Sequence, residues 1–188
     1  TNIDMGYKTG QMSMKLPAGS TFEGNGHTIK GLKLMIGLFG DVVKNLTVNN
    51  LIIDGAIISG TTKTNRGVLV NTLYGSSSFN NVVVQNSTVN TYEGAAGGMV
   101  GYISRKSKSD RSEALDVVFN NCHVINTDIK GSTKEGYFVG IFRGYDYGET
   151  LRFMDNCSCT PAPGSEPLKS INVDSQKALW LENTDFSA

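Results

Sequence analysis

Short runs in which apolar and polar residues alternate recur along most of this chain, and each run begins and ends on asparagine. Lys44-Asn45-Leu46-Thr47-Val48-Asn49-Asn50, Asn80-Asn81-Val82-Val83-Val84-Gln85-Asn86 and Asn120-Asn121-Cys122-His123-Val124-Ile125-Asn126 share one pattern, and Asp155-Asn156-Cys157-Ser158-Cys159 begins a fourth copy. A period of two predicts strands with one buried face. Aligned on that pattern, Asn45, Asn81, Asn121 and Asn156 form one column at spacings of 36, 40 and 35 residues. Asn50, Asn86 and Asn126 form a second, which Pro161 breaks. Val43, Phe79, Phe119 and Met154 give an apolar column two residues before the first asparagine, and Ile53, Val89 and Ile129 give another beyond the second.

A different string recurs between these strands: Gly37-Leu38-Phe39-Gly40, Val68-Leu69-Val70-Asn71, Gly98-Met99-Val100-Gly101 and Tyr137-Phe138-Val139-Gly140. Each repeat therefore holds two or three short strands joined by Gly/Asn corners. No helical period lies between them, which excludes alternating strand and helix units. The expectation is an all-β chain, a right-handed parallel β-helix of about five short coils in which equivalent residues stack up the axis. Asparagine suits the corners because it tolerates a left-handed backbone and its amide bonds to the asparagine above or below. Residues 1–188 read as one domain, with an N-terminal cap over 1–21, coils over 22–160 and a C-terminal cap over 161–188.

From the Gly40 column to the Asn45 column the successive gaps are 5, 10, 20 and 16 residues. Extra length collects at one corner, around Tyr74 to Ser78, Tyr102 to Asp116 and Arg143 to Arg152. Loops gathered on one side of a stacked array are the expected binding face. Tyr74, Tyr102, Tyr145 and Tyr147, with Arg105, Arg111, Arg143 and Arg152, combine flat rings and planar donors there, a set suited to a sugar or a protein epitope.

Composition narrows the function. Lys and Arg total 17 against 17 Asp and Glu, and charged residues are 18% of the chain, too balanced a surface for phosphate-rich nucleic acid. No apolar run is long enough to cross a bilayer. The 22 glycines and 17 asparagines fit strands and tight turns. Three cysteines, Cys122, Cys157 and Cys159, lack metal-ribbon spacing, and no metal or cofactor is expected. Cys122 and Cys157 share a column and are expected as a buried apolar ladder, with oxidation to a bridge as the alternative.

Catalytic chemistry has less support. Glycoside hydrolysis needs two facing carboxyl groups, and the acids are scattered. The loop groups Asp110, Glu113 and Asp116, or Asp146 and Glu149, read as solvated polar loop. His27 reads as a corner residue and His123 as solvent-facing. The sequons Asn45-Leu46-Thr47 and Asn86-Ser87-Thr88 fall in the asparagine columns and read as structural.

Phe22-Glu23-Gly24-Asn25-Gly26-His27-Thr28-Ile29-Lys30-Gly31-Leu32, followed by Gly37-Leu38-Phe39-Gly40 and Lys44-Asn45-Leu46-Thr47-Val48, resembles bacterial cell-surface β-helix proteins carrying the GLUG repeat. Gly97-Gly98-Met99-Val100-Gly101 with Phe119-Asn120-Asn121-Cys122 is similar to the repeat itself, and Asn2-Ile3-Asp4-Met5 to a segment found upstream of it. The resemblance spans roughly residues 2–160 and departs from the family at the insertion Ser104 to Asp116 and at Pro161. It implies an extracellular or surface-exposed, adhesin-like module without catalysis, part of a larger secreted or surface protein and directed at a glycan or a partner protein. A carbohydrate-active lyase or hydrolase and a structural stalk are the alternatives.

Overall fold

The computed structural model describes residues 1–8, 10–106, 115–131, 134–144, 148–165, 168, 171–173 and 179–181. Among them are strands and no helix. In chain order the first ten are β1 (Ile3–Asp4), β2 (Thr21–Lys30), β3 (Lys33–Leu34), β4 (Val42–Lys44), β5 (Thr47–Asp54), β6 (Ile57–Lys63), β7 (Arg66–Gly67), β8 (Val70–Tyr74), β9 (Ser77–Gln85) and β10 (Thr88–Glu93). The rest are β11 (Ala95–Gly97), β12 (Val100–Ser104), β13 (Asp116–Asn120), β14 (His123–Lys130), β15 (Lys134–Gly136), β16 (Val139–Phe142), β17 (Thr150–Met154), β18 (Ser158–Pro161), β19 (Ile171–Val173) and β20 (Leu179–Leu181).

All pairings are parallel, and they make three sheets. The largest runs β1-β2-β5-β9-β14-β10-β6-β3, with β13, β17, β18 and β20 branching from it. The smaller ones run β15-β11-β7 and β19-β16-β12-β8-β4. Strands of one repeat thus pair with their counterparts in the next, which forces like onto like. Phe22 pairs with Val48, Val48 with Phe79, Phe79 with Phe119 and Phe119 with Phe153. The rings of Phe79 and Phe119 lie 4.8 Å apart and those of Phe119 and Phe153 5.2 Å, each pair within 9° of parallel. That separation is the spacing of neighbouring strands, so an aromatic repeated in register stacks without rearrangement.

The asparagines hold the corners. Asn45, Asn50, Asn81, Asn86, Asn121 and Asn126 all have φ between 48° and 54°. An ordinary side chain is strained there, whereas asparagine visits the region readily. Amide ladders cross the repeats: Asn81 Nδ2 donates to Asn50 Oδ1 (2.9 Å), Asn121 Nδ2 to Asn81 Oδ1 (2.9 Å) and Asn126 Nδ2 to Asn86 Oδ1 (2.7 Å).

Those bonds correct the first-repeat alignment. Asn49 pairs with Asn80 and Leu51 with Val82, so Asn50, not Asn45, shares the column of Asn81, Asn121 and Asn156, at spacings of 31, 40 and 35 residues. Asn86 and Asn126 share theirs with Gly55, whose N–H donates to Gln85 O (3.0 Å) and whose φ is 72°. Asn45 instead sits over Gly75, its N–H bonded to Tyr74 O (3.0 Å). The cause is a period of five within the first repeat. Corners at Asn45, Asn50 and Gly55 precede the buried pairs Leu46/Val48, Leu51/Ile53 and Ala56/Ile58, so a slip of five residues still lays apolar on apolar. The apolar columns shift with it: Val48 replaces Val43 beside Phe79, and Ile58 replaces Ile53 beside Val89. Phe153, not Met154, meets Phe119 because Asp155 is an extra residue at the last corner.

The glycine string slips by one as well: Val42 pairs with Thr72, so Asp41, not Gly40, faces Asn71, and the re-registered gaps to the first asparagine column are 9, 10, 20 and 16 residues. The long additions therefore belong to the third and fourth repeats, and the second adds a single residue. Before the first repeat, residues 2–8 and 10–20 lie along its edge: Ile3 pairs with Ile29, Met14 N donates to Leu38 O (2.7 Å) and Gly19 N to Lys44 O (3.1 Å). At the other end, Leu179 to Leu181 pair with Leu151 to Phe153, and Ile171 with Val139.

Candidate functional site

Strands β8, β12 and β16 pair with one another and each leads into one of β9, β13 and β17, which also pair. Their three connections, 75–76, 105–115 and 143–149, consequently leave from and return to one corner. Tyr74 ends β8 between Lys44 and Ser104. Tyr102 lies in β12 between Thr72 and Ile141, half-buried, and the Arg143 guanidinium stands over its ring at 5.4 Å from the centroid. Arg143 is exposed, and its N–H donates to Ile103 O (2.8 Å), which fixes the backbone beneath that stack. An arginine face on a tyrosine ring is attractive through the ring quadrupole.

The other described arginines of this corner are turned to internal tasks. Arg105 Nε donates to Glu149 Oε1 at 2.7 Å, with the side chains 6% and 0% exposed. A ligand cannot reach that guanidinium, so Arg105 joins the third-repeat insertion to the fourth. Arg152 grips Asp116 with both donors, Nε to Oδ1 at 3.0 Å and Nη2 to Oδ2, while the Thr150 hydroxyl also bonds to Asp116 Oδ1. Asp116 N–H donates to Ser76 Oγ (3.0 Å), which ties in the second repeat. Arg111, Tyr145 and Tyr147, with Asp110, Glu113 and Asp146, lie outside the described residues. Among the described residues the corner thus presents Tyr74, the Tyr102–Arg143 stack and the part-exposed Arg152–Asp116 pair, above the enclosed Arg105–Glu149 pair.

Glu149 as the inner partner of Arg105 has no counterpart in the repeat pattern, because both residues sit in insertions of unequal length. Ser104, at the head of that insertion, buries a hydroxyl that has no hydrogen-bond partner among the described residues. Two cavities also lie away from the corner. One, of about 560 Å³, is bounded by segment 11–16 and the first repeat, and the other, of about 280 Å³, lies between Thr127 and Leu168. Neither carries a periodic signal, since each is made where repeat meets non-repeat chain.

The cysteines are core thiols. Cys122 lies beside Val82 and Cys157, and Cys122 N–H points at Cys157 Sγ (3.4 Å). Burial pushes the Cys122 thiol well up, whereas the hydrogen bond from Cys122 draws Cys157 down. His27 pairs with Leu51 just after the Asn25 and Gly26 corner, and His123 faces out of β14 beside Ser158. Of the two sequons, Asn86 donates to Asp54 Oδ1 (2.8 Å), so its amide serves the corner, whereas Asn45 buries an Oδ1 with no hydrogen-bond partner among the described residues. Among the described residues no three His, Cys, Asp or Glu side chains converge as a metal site, and no helix is long and apolar enough to cross a membrane. No family model, curated protein sequence or solved structure matches this chain.

Proposed function

We propose that the chain is a right-handed parallel β-helix of about five short coils, capped at both ends, that serves as a non-catalytic binding module at a bacterial surface or in the extracellular space. Its ligand is a glycan or a partner protein met at the insertion corner. In-register parallel pairing from repeat to repeat supports the solenoid, the usual hand of parallel crossovers supports a right-handed coil, and the GLUG-like strings support the setting. The observation that carries the binding role is the Arg143 guanidinium laid over Tyr102 at 5.4 Å. It makes a flat, amphipathic, cationic platform on a backbone held by the pairing of β12 with β8 and β16, and a rigid aromatic and arginine surface costs little ordering on contact.

Hydrolysis is less well supported, for a chemical reason. A glycosidase needs one carboxyl group to give a proton and another with a free lone pair. Of the described acids at this corner, Asp116 is gripped by Arg152 and Thr150, and Glu149 is enclosed with Arg105. The test is a glycan and surface-protein array probed with the parent chain and with Tyr102→Ala and Arg143→Ala. Binding that both substitutions weaken about tenfold, a loss of about 1.4 kcal/mol, is the expected result. No binding by the parent favours a stalk, and release of reducing ends from a bound polysaccharide overturns the non-catalytic role.

A further inference from the structure

The first asparagine column has a direction. Asn50 Nδ2 donates to Glu23 Oε1 (2.9 Å), and that bond holds the Glu23 carboxyl below its usual range, ionised and able only to accept. Asn50 therefore turns its Oδ1 to the next repeat, where Asn81 donates to it, and Asn81 Oδ1 accepts in turn from Asn121, each at 2.9 Å. A carboxylate at one end thus orients every amide above it. Asn121 is left presenting Oδ1, and His123 Nε2 lies 3.3 Å from that oxygen. Burial keeps the ring's pKa below the ordinary 6.5, so near pH 7 it is neutral and carries one proton. An acceptor facing Nε2 places the proton there, which makes Nδ1 the acceptor nitrogen. Ser158 Oγ is 2.7 Å from Nδ1, so the serine hydroxyl aims its proton at a base. His123 pairs with Ser158 across β14 and β18, and both are half-buried on the outward face, while Cys122, Val124, Cys157 and Cys159 fill the core side.

We propose that Ser158 is a nucleophile that takes an acyl group from a small ester, with His123 as its base and Asn121 as the residue that positions the ring. Nucleophile, base and orienting group in hydrogen-bond contact are the arrangement that activates a hydroxyl. Ser158 Oγ bonds to the ester carbonyl carbon as its proton passes to His123 Nδ1. The ester C–O bond then breaks, the leaving oxygen takes that proton away as an alcohol, the ring returns to neutral and the acyl group stays on Ser158. Neither cavity described above includes Ser158 or His123, so the donor meets an open strand face, which suits small acyl groups. One transfer per chain is stoichiometric, and it uses no residue of the insertion corner, so it stands or falls independently of the binding role.

The experiment treats the whole chain with p-nitrophenyl acetate and follows acetylation residue by residue by peptide mass spectrometry. Ser78 is the internal control, a half-buried strand serine whose hydroxyl meets Thr47 Oγ1 rather than an imidazole. Ser158 is expected to react about a hundredfold faster than Ser78, the order of factor that a general base contributes. His123→Gln should bring it down to the rate of Ser78 with unchanged far-ultraviolet dichroism. Nitrogen NMR of the parent's imidazole should show the proton on Nε2. Glu23→Gln, which touches neither His123 nor Ser158 and offers the ladder an amide that donates as well as accepts, should populate the other tautomer and slow Ser158 several-fold. Acetylation of Ser158 no faster than of Ser78, a rate that His123→Gln leaves unchanged, or a neutral parent ring protonated at Nδ1 overturns the proposal.

Discussion

Two kinds of corner join the strands of this chain, and they are held by different physics. At the asparagine corners neighbouring repeats supply the same group, a left-handed asparagine, and three amide bonds of 2.7 to 2.9 Å join them, Asn81 to Asn50, Asn121 to Asn81 and Asn126 to Asn86, with Gly55 standing in at the start of the second column. At the insertion corner no two repeats supply the same group. There the connections are tied by dissimilar pairs, Arg105 with Glu149 and Arg152 with Asp116. A periodic corner can be built from weak neutral bonds because each is repeated. An aperiodic one needs strong, charge-assisted contacts that are made once, and freedom from the repeat is what lets it carry side chains chosen for contact with a partner.

The sharpest way to break the comparison is at Glu149. Removing one member of a buried ion pair strands the other, at a cost of about 3–5 kcal/mol, while replacing both by apolar groups of similar size can be neutral. Glu149→Ala is therefore expected to lower the urea midpoint more than any single asparagine substitution, and Arg105→Met with Glu149→Leu to restore most of the loss. If Glu149→Ala proves as mild as a surface change, the pair does not hold the insertions together.

The asparagine side of the comparison predicts an inverted order. Inside regular structure glycine is usually worse than alanine. At Asn121, with φ 48° and its amide bonded to Asn81, alanine loses the bond and also occupies a strained backbone. Left-handed strain of about 1–2 kcal/mol and a hydrogen bond of about 1 kcal/mol put Asn121→Ala near 2–3 kcal/mol. Asn121→Gly keeps the backbone relaxed and should cost about half as much. Denaturant unfolding of both variants checks it, and alanine milder than glycine would remove the backbone argument for the ladder.

The same contrast explains what could be read from the residues. Strand class, parallel stacking and the use of asparagine at corners follow from short-range alternation, and the structure has them. Register did not follow, because Leu46/Val48 and Leu51/Ile53 present the same pattern five residues apart and only pairing decides between Asn45 and Asn50. The insertion corner was legible as a place, from uneven spacing, but not as a set of contacts. Arg105 and Glu149 are 44 residues apart in loops with no repeat equivalence, and neither residue type announces burial. The cavity of about 560 Å³ left no trace in the pattern, since five of its eleven lining residues come from 11–16, which belong to no repeat.

His123 gives the finest test, because it joins a titratable group to the periodic corner. Its Nδ1 lies 2.7 Å from Ser158 Oγ and its Nε2 3.3 Å from Asn121 Oδ1, and burial holds its pKa below the ordinary 6.5. The folded chain therefore binds a proton less readily than the unfolded chain. Linkage then makes stability rise with pH across the interval between the two values. The contribution is complete above about pH 6.5 and is lost as pH falls through the lower folded value. Urea midpoints measured from pH 7.5 to 5 should show this as a modest acid-side decline that His123→Gln reduces, a smaller effect than either substitution above. Because Asn121 Oδ1 also faces this ring, the decline should be altered in Asn121→Gly and unchanged in the Arg105→Met, Glu149→Leu double variant. A decline that follows the ion pair instead would mean that the two corners are not energetically separate.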